Sequence, residues 1–283
     1  MKTKALRSKL YVAGHCLNVA AATFRSDPWK LARYPAICAV IEHPDIGHIV
    51  FDTGYSSAFA AATRRLPYSL YRMATPVRLA HGESLAEQLA ADGIRAAEVD
   101  TVVISHFHAD HVGGLADFPS ATIIADTGGF AAIREKRGFA AVRQGFIPSL
   151  IPQDFDRRHR AVTHRRQVKL GRGAAPFRVG YDLLGDGSLV AVFLHGHAFG
   201  QIGLMFEDER HGSTFLCADA AWSRRAIREN VGPGALGYMA IDDRPAADNT
   251  LARLHELHVS NPEVRIVPSH CPEVWAEIQA GKA

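Results

Sequence analysis

The sequence has little of several features that would each direct the search for a function. It has four cysteines in 283 residues, far apart and without paired spacing, which argues against a disulfide framework. No apolar run approaches the length of a membrane-spanning helix. The net charge is only +3 and the basic clusters are short, so composition gives no case for a nucleic-acid or membrane partner. We therefore expect a cytoplasmic protein with neither kind of partner.

Motifs of two common enzyme types are also missing. The chain has no Gly-x-Ser-x-Gly, and its cysteines have no obvious base partner. No glycine pattern of the Rossmann or phosphate-loop kind lies in the expected strand–helix context. Neither a serine or cysteine nucleophile nor a nucleotide-binding loop is therefore predicted.

The most informative feature present is a cluster of histidines and one aspartate. His106, His108, Asp110 and His111 follow a short β-branched run at 101–104, which predicts a buried strand ending where the cluster begins. Imidazole suits zinc and iron, and a carboxylate can bind or bridge such ions. A lone histidine is usually a structural residue. Four ligand-type side chains in six positions instead predict a metal site.

More ligand-type residues follow other predicted apolar strands. They are His195 and His197 after the run at 189–194, Asp219 after 214–218, and His270 after 266–269. Each is a weak signal alone, because a polar residue after a strand is common. Together with the first cluster they form a coherent set. Asp52 also ends a strand, at 48–51, and its residue type fits a turn cap and a metal-associated carboxylate equally well.

Strands occur in both halves of the chain with a few helices between them, which predicts two packed β-sheets with helices outside. Helices are predicted at 84–91, 130–136 and 246–259. Strands are predicted at 36–41, 48–51, 101–104, 121–125, 177–184, 189–194, 202–206, 213–218 and 265–267. The segment 128–166 interrupts the β pattern, and so long an excursion is usually a lid, a binding loop or an interaction surface.

The ordered set of motifs resembles the metallo-β-lactamase superfamily. The matching residues are Phe51-Asp52-Thr53-Gly54, His106-Phe107-His108-Ala109-Asp110-His111, Gly196-His197, Asp219 and His270, and the likeness spans roughly 36 to 273. It implies an α+β fold, an αββα sandwich of two mixed β-sheets flanked by helices. We expect a single domain over 1–283, with the lid or interaction insertion at about 128–166.

The resemblance also assigns roles to the residues. It implies one metal held by His106, His108 and His197, a second held by Asp110, His111 and His270, and a bridging Asp219. Asp52 resembles the family's buried acid that supports the ligand loop. His195 does not match a ligand position, and we interpret it as a supporting or structural residue.

Two metal ions would explain a hydrolytic activity. Ions about 3.5–4 Å apart can hold a hydroxide between them and polarise a carbonyl or phosphoryl oxygen. Asp110 is then the expected catalytic carboxylate, which takes a proton from the attacking water and passes it to the leaving group. We expect two divalent ions, zinc first, although histidine and carboxylate ligands also suit iron and manganese.

Within the superfamily the chain most resembles the lactonase-like branch, typified by N-acyl homoserine lactonases. That branch has a substrate-binding tyrosine three residues after the bridging aspartate. Here the residue is Trp222, whose indole donates one hydrogen bond but cannot serve as an acid. Candidates for an apolar substrate pocket are Tyr68, Tyr71, Phe146, Phe155 and Trp222, with ordinary core packing as the alternative.

The sequence therefore predicts a dinuclear metal-dependent hydrolase, in which a metal-bridging hydroxide attacks the carbonyl of a small-molecule lactone or related ester. One alternative is a hydrolase of the same fold that acts on phosphoesters, organophosphates or thioesters. A second is a non-hydrolytic iron metalloprotein. The apolar residues of 128–166 would also suit the interface of a homodimer.

Overall fold

The computed structural model describes residues 4–282 and contains two β-sheets. The first has the strand order β4-β1-β2-β3-β5-β6-β7, where β1 is Arg7–Val19, β2 Leu31–His43, β3 Gly47–Phe51, β4 Val77–Arg78, β5 Val99–Val103, β6 Thr122–Ala125 and β7 His159–Ala161. The second has the order β13-β12-β11-β10-β9-β8, where β8 is Arg166–Lys169, β9 Val179–Asp182, β10 Val190–Phe193, β11 Ile202–Asp208, β12 Gly212–Ala218 and β13 Arg265–Pro268. Both sheets are mixed, since each combines parallel and antiparallel pairs.

Helices flank the sheets and connect their strands. They are α1 Ala20–Thr23, α2 Ser57–Ala62, α3 Ser69–Ala74, α4 Leu85–Ala91, α5 Ala109–Val112, α6 Thr127–Ile133, α7 Gly138–Arg143, α8 Phe155–Arg158, α9 Arg224–Glu229, α10 Ala235–Tyr238, α11 Arg244–Ser260 and α12 Pro272–Gln279. None of the helices in the described range 4–282 is long and apolar enough to cross a bilayer.

The strand β2 shows why the sheets form layers. Its residues Ile37, Ala39 and Ile41 pack into a core between the two sheets, whereas Cys38 and Val40 pack on the opposite face. Successive strand residues point to opposite faces, so a strand that is apolar at every position is buried on both sides. The core between the sheets also contains Leu204, Leu216 and Val267 from the second sheet.

The outer faces of both sheets are covered by helices. Leu85 and Leu89 of α4 pack on the first sheet, and the three leucines of α11 pack on the second, at 251, 254 and 257. A capping box at Ser84 and Glu87 begins α4, as its sequence predicts. The order helix, sheet, sheet, helix confirms the predicted αββα sandwich.

The predicted elements are largely found, but the first strand is not among them. The sequence around Gly14 and His15 gave no strand prediction, yet β1 extends over 13 residues and pairs with β2. The pairing is irregular between Val12 and His15, and Gly14 has a φ of +76° there. This β-bulge breaks the alternation of apolar residues by which a strand is recognised in sequence.

The segment 128–166 contains α7, α8, β7 and most of α6, and β7 extends the first sheet beside β6. Its aromatic residues Phe130 and Phe155 stack against each other with ring centroids 4.3 Å apart, and both lie near Phe107 of the histidine cluster. The segment is thus anchored to the core directly behind the ligand-type residues.

Candidate metal centre

The seven ligand-type residues meet at one edge of the sandwich. Each follows a strand, because the first cluster comes after β5, His197 after β10, Asp219 after β12 and His270 after β13. They form three overlapping groups, and within each group the ligand atoms lie within 4.8 Å of one another. The groups are His106 with His108 and His197, His106 with His111 and Asp219, and Asp110 with His111 and His270. Both sheets therefore supply ligands to the same cluster, which we call the metal-ligand cluster.

Asp219 lies between the other members of the cluster. Its Oδ2 is 3.1 Å from His270 Nε2 and 3.3 Å from His197 Nε2, and its Oδ1 is 3.4 Å from His111 Nε2. The residue before it, Ala218, has a left-handed φ of +48° at an irregularity in the β12–β13 pairing. That turn of the backbone brings the Asp219 side chain to the centre of the cluster.

Several polar atoms of the cluster are buried without a hydrogen-bond partner among the described residues: His106 Nε2, His111 Nε2, His197 Nδ1 and Asp219 Oδ1. A buried polar atom without a partner costs about 1–3 kcal/mol. Four such atoms on residues of metal-ligand type are unusual in one place. A divalent cation would satisfy those that face the centre, so the residues present fit a metal site.

Hydrogen bonds from outside the cluster fix the histidine rings. His270 Nδ1 lies 2.7 Å from the carbonyl oxygen of Pro35, and His111 Nδ1 lies 2.7 Å from Asp52 Oδ2, so both nitrogens donate. The Ser105 hydroxyl donates to Asp52 and can then only accept from His106 Nδ1, at 3.0 Å. In the neutral form of all three rings the hydrogen is therefore on Nδ1, and Nε2 is the nitrogen that can bind a metal.

Asp52 supports the loop that carries the first ligands. It is 1% exposed and has a φ of +57°, a conformation that costs most non-glycine residues free energy. Its Oδ1 accepts from Ser105 N at 2.8 Å, and its Oδ2 accepts from Ser105 Oγ at 2.7 Å as well as from His111. The structure places Asp52 behind the ligands, where the sequence suggested it would lie.

The protonation states of the cluster depend on burial and on its carboxylates. Burial holds the pKa of His106 well below its usual value and lowers that of His197 to about 3. Burial also acts to lower the pKa of His111, but the carboxylates of Asp52, Asp219 and Asp110 outweigh it and raise the pKa to about 10. Burial likewise acts to lower the pKa of His270, but Asp219 and Asp110 outweigh it and raise that pKa well above its usual value. Without a metal, protons on His111 and His270 therefore balance these carboxylates.

A cavity of about 740 Å³ opens above the cluster. Its floor includes His108, Asp110, His197, Asp219 and His270. The other lining residues form what we call the cavity wall. They are Cys16, Asn18, Thr23 and Tyr34 near the start of the chain, Leu70, Tyr71, Ala74 and Thr75 around α3, Val142 to Gly145 at the end of α7, Leu236, Gly237 and Met239 to Asp242 around α10, and Phe199 and Trp222. At Gly145, with a φ of +60°, a Cβ would lie 2.8 Å from the His108 ring.

The predicted pocket residues divide into two groups. Trp222 lines the cavity and donates from its indole nitrogen to Asp219 Oδ2 at 3.2 Å. Phe146 and Phe155 are each 2% exposed and belong to the hydrophobic core, so the prediction that they line the pocket is wrong. Tyr68 packs against the same core and accepts from Gly138 N at 3.2 Å, and it is likewise not a lining residue of the cavity.

His195 lies apart from the cluster. It is exposed and stacks on Phe193 with an interplanar angle of 8°. Its carbonyl oxygen accepts from Thr250 Oγ1, so its local role is in the packing of β10 against α11. Tyr71, in contrast, is a predicted pocket residue that does line the cavity. Its hydroxyl reaches Asp110 Oδ1 at 3.3 Å, a contact without a sequence signal because it joins α3 to α5, 39 positions away.

Comparison with known proteins identifies the family. The model of the metallo-β-lactamase superfamily matches residues 35–270. The N-acyl homoserine lactonase AttM of Azorhizobium caulinodans is 30% identical over 237 residues, which are 83% of this chain and 81% of that protein. A probable metallo-hydrolase of Mycobacterium tuberculosis is 28% identical, over 82% of this chain and 73% of that protein.

Solved structures show the same fold. An N-acyl homoserine lactone hydrolase with the product N-hexanoyl-L-homoserine at its catalytic metal centre superposes with a TM-score of 0.73 and 19% identity, over 98% of this chain and 97% of that one. The chain belongs to the metallo-β-lactamase superfamily. Within that superfamily it is a metal-dependent hydrolase of the lactonase-like branch.

Proposed function

We propose that the protein is a dinuclear metal-dependent hydrolase of lactones or related carboxylic esters. The observation that carries the proposal is the division of the ligands into two three-residue groups without a common member, one at His106, His108 and His197 and the other at Asp110, His111 and His270. Asp219 contacts histidines of both groups, as expected of a carboxylate that bridges two ions.

The seven residues would hold two divalent ions, with zinc favoured by the number of imidazole ligands. When bound, such ions polarise a carbonyl oxygen and bring the pKa of water to around 7, which makes water a nucleophile at neutral pH. The one lining thiol, Cys16, does not offer a competing thiolate nucleophile, because burial raises its pKa to about 11. The thiol therefore stays protonated at neutral pH.

Asp110 is proposed to handle the proton of the reaction. Burial acts to raise the pKa of this carboxyl, but His111 and His270 outweigh it and hold the pKa well below the usual value. The group is therefore ionised and able to accept a proton from the attacking water. Its Oδ2 is 3.3 Å from His270 Nε2, so the carboxylate is held at the cavity floor, where a leaving oxygen would receive that proton.

The choice of lactones among possible substrates is supported by the relatives. Several curated relatives are N-acyl homoserine lactonases, and they align over more than four fifths of this chain. The cavity wall contains apolar side chains with exposed surface, Leu236, Met239 and Phe199, which suit an acyl chain.

The test combines metal analysis with a substrate panel. Purified protein should contain about two zinc ions per chain and hydrolyse lactones with a higher kcat/KM than phosphotriesters or thioesters. Higher kcat/KM on a phosphotriester would move the assignment to another hydrolase of this fold. Iron in place of zinc, together with O₂ consumption and no hydrolysis, would overturn the proposal.

A further inference from the structure

Two neutral hydrogen-bond donors of the cavity wall each contact one carboxylate of the metal-ligand cluster. Trp222 Nε1 donates to Asp219 Oδ2 at 3.2 Å, and Tyr71 Oη donates to Asp110 Oδ1 at 3.3 Å. Both side chains line the cavity. The two donors therefore face the same space from different sides, one beside each carboxylate.

The two donors differ in what they can offer a substrate. The indole of Trp222 has a single N–H, already directed at Asp219. The phenol of Tyr71 can rotate its O–H, and its contact with Asp110 is long for an O–H···O hydrogen bond, which normally measures about 2.7–2.8 Å. The Tyr71 hydroxyl is thus the donor that can turn from Asp110 to a bound molecule.

The position of the Tyr71 ring is fixed from behind. The ring packs edge-on against Phe59, with centroids 5.6 Å apart, and Phe59 is itself 2% exposed. The Tyr71 carbonyl accepts from both the backbone N and the Oγ1 of Thr75, at 2.9 Å each. The hydroxyl is therefore held beside Asp110 while its O–H bond remains free to reorient.

We propose that Tyr71 donates a hydrogen bond to the leaving oxygen of the substrate. This inference rests on the proposed ester or lactone hydrolysis. The attacking water gives a proton to Asp110 and forms a bond to the acyl carbon. The bond from that carbon to the leaving oxygen breaks with its electron pair, and Asp110 passes the proton to that oxygen. Tyr71 keeps its own proton and stabilises the negative charge that develops there.

The leaving oxygen, rather than the carbonyl oxygen, is chosen because Tyr71 contacts Asp110. The group that delivers the proton and the group that stabilises the charge must both lie within about 3 Å of the same atom. Tyr71 and Asp110 are already in contact, whereas Trp222 lies against the opposite carboxylate.

The first experiment varies the leaving group. Tyr71→Phe should lower kcat about 10- to 100-fold for γ-octalactone and for benzyl octanoate, whose leaving alkoxides are strongly basic. For p-nitrophenyl octanoate the loss should stay below about threefold, because nitrophenolate needs little help to leave. A purely structural role for Tyr71 would lower all three rates alike.

Tyr11 provides the matched control. Its ring is 5% exposed in the same hydrophobic core, and its hydroxyl also donates to a carboxylate, Asp92 Oδ2, at 2.6 Å. It does not line the cavity. Tyr11→Phe removes the same kind of donor at a place outside the site, and we expect no dependence on the leaving group.

Product binding gives a readout that is independent of turnover. Calorimetry with 4-hydroxyoctanoate should show a weaker Kd for Tyr71→Phe by about tenfold, because the product hydroxyl is the former leaving oxygen. Octanoate, which lacks that hydroxyl, should bind the variant and the parent protein equally. Metal content should be the same in all three proteins.

Three results would overturn the inference: equal losses on both octanoate esters, a parent-like rate of Tyr71→Phe on the lactone, or a loss of metal in that variant. The last would mean that Tyr71 acts by holding Asp110. If the fully loaded parent protein hydrolyses no lactone or ester, the proposed function fails instead, which is a separate outcome.

Discussion

The metal-ligand cluster and the cavity wall line the same cavity, but they differ in how deeply their residues are buried and in which elements carry them. Ligands such as His106, His111 and Asp219 are at most 6% exposed, follow strands of two packed sheets and are held by hydrogen bonds from behind. On the wall, Met239 is 77% and Phe199 54% exposed, in short helices and loops. Reaction chemistry thus depends on the rigid sheets, and substrate choice on segments that tolerate change.

The largest expected effect concerns the cluster. Asp110→Asn should lower kcat about 10²- to 10⁴-fold, because the amide can neither accept the proton of water nor deliver it. Asp242 is the matched control, since it lies on the cavity wall and only accepts from Phe199 N at 3.0 Å. Steady-state kinetics with metal analysis should show a small effect for Asp242→Asn. An equal loss of kcat in the two variants would contradict the idea that the cluster, and not the wall, carries out the reaction.

The second prediction concerns Asp52, which accepts hydrogen bonds from Ser105 and His111 behind the cluster. Asp52→Asn should weaken metal affinity about 10- to 100-fold, because an amide N–H would face a donor at Ser105 or His111. Asp208 is a close match, 3% exposed and accepting from Ser8 N at 3.0 Å and Ser8 Oγ at 2.6 Å, but it lies outside the cluster. Chelator competition should show unchanged affinity in Asp208→Asn. A similar weakening there would mean that general stability, and not positioning, sets the affinity.

A third effect concerns pH. Metal binding must displace the proton of His111, whose pKa is about 10, and that of His270, whose pKa is raised, against the effect of burial, well above its usual value by the carboxylates of Asp219 and Asp110. Apparent affinity should therefore rise at least about tenfold per pH unit between pH 7 and 9. The folded-state pKa of His111 lies above the ordinary value of 6.5, so the metal-free fold gains stability from this proton below pH 6.5. That stability is lost as pH rises through 10. Chelator competition at several pH values measures the slope, and a flat profile would contradict the assignment of His111 as a ligand.

The smallest effect concerns the wall. Met239→Ser should raise KM for long-chain lactones about two- to fivefold with little change in kcat, because it removes apolar contact with the acyl chain only. Phe139 is the control, since it is 69% exposed in the described structure and does not line the cavity. A chain-length series of substrates separates the two variants. If kcat falls instead, the wall takes part in the chemistry.

The cluster could be predicted from sequence because its residues are local or follow apolar strands. Four ligand-type residues lie within six positions, and the others share one context, the end of a strand. The supporting role of Asp52 was indicated by the family resemblance alone, because its residue type fits a turn cap equally well. The metallo-β-lactamase fold followed from the order of these motifs and is confirmed.

Most of the wall could not be predicted, because its contacts join segments that are remote in sequence and carry no periodic signal. Phe146 and Tyr71 are both aromatic candidates for the pocket, yet one is buried in the core and the other reaches the metal-ligand cluster. Only the packing of α3 and α7 distinguishes them. The strand β1 was missed for a related reason, since its bulge interrupts the alternation on which strand prediction depends.

The left-handed residues Asp52 and Ala218 indicate a compromise between stability and activity. Each lies at the end of a strand beside the cluster, one in each sheet, and such a conformation costs roughly 1–2 kcal/mol for a residue with a side chain. Glycine at position 218 would relieve that cost and could make the fold more stable. It would also loosen the backbone that aims Asp219, so selection for thermostability and selection for turnover should favour different residues at this position.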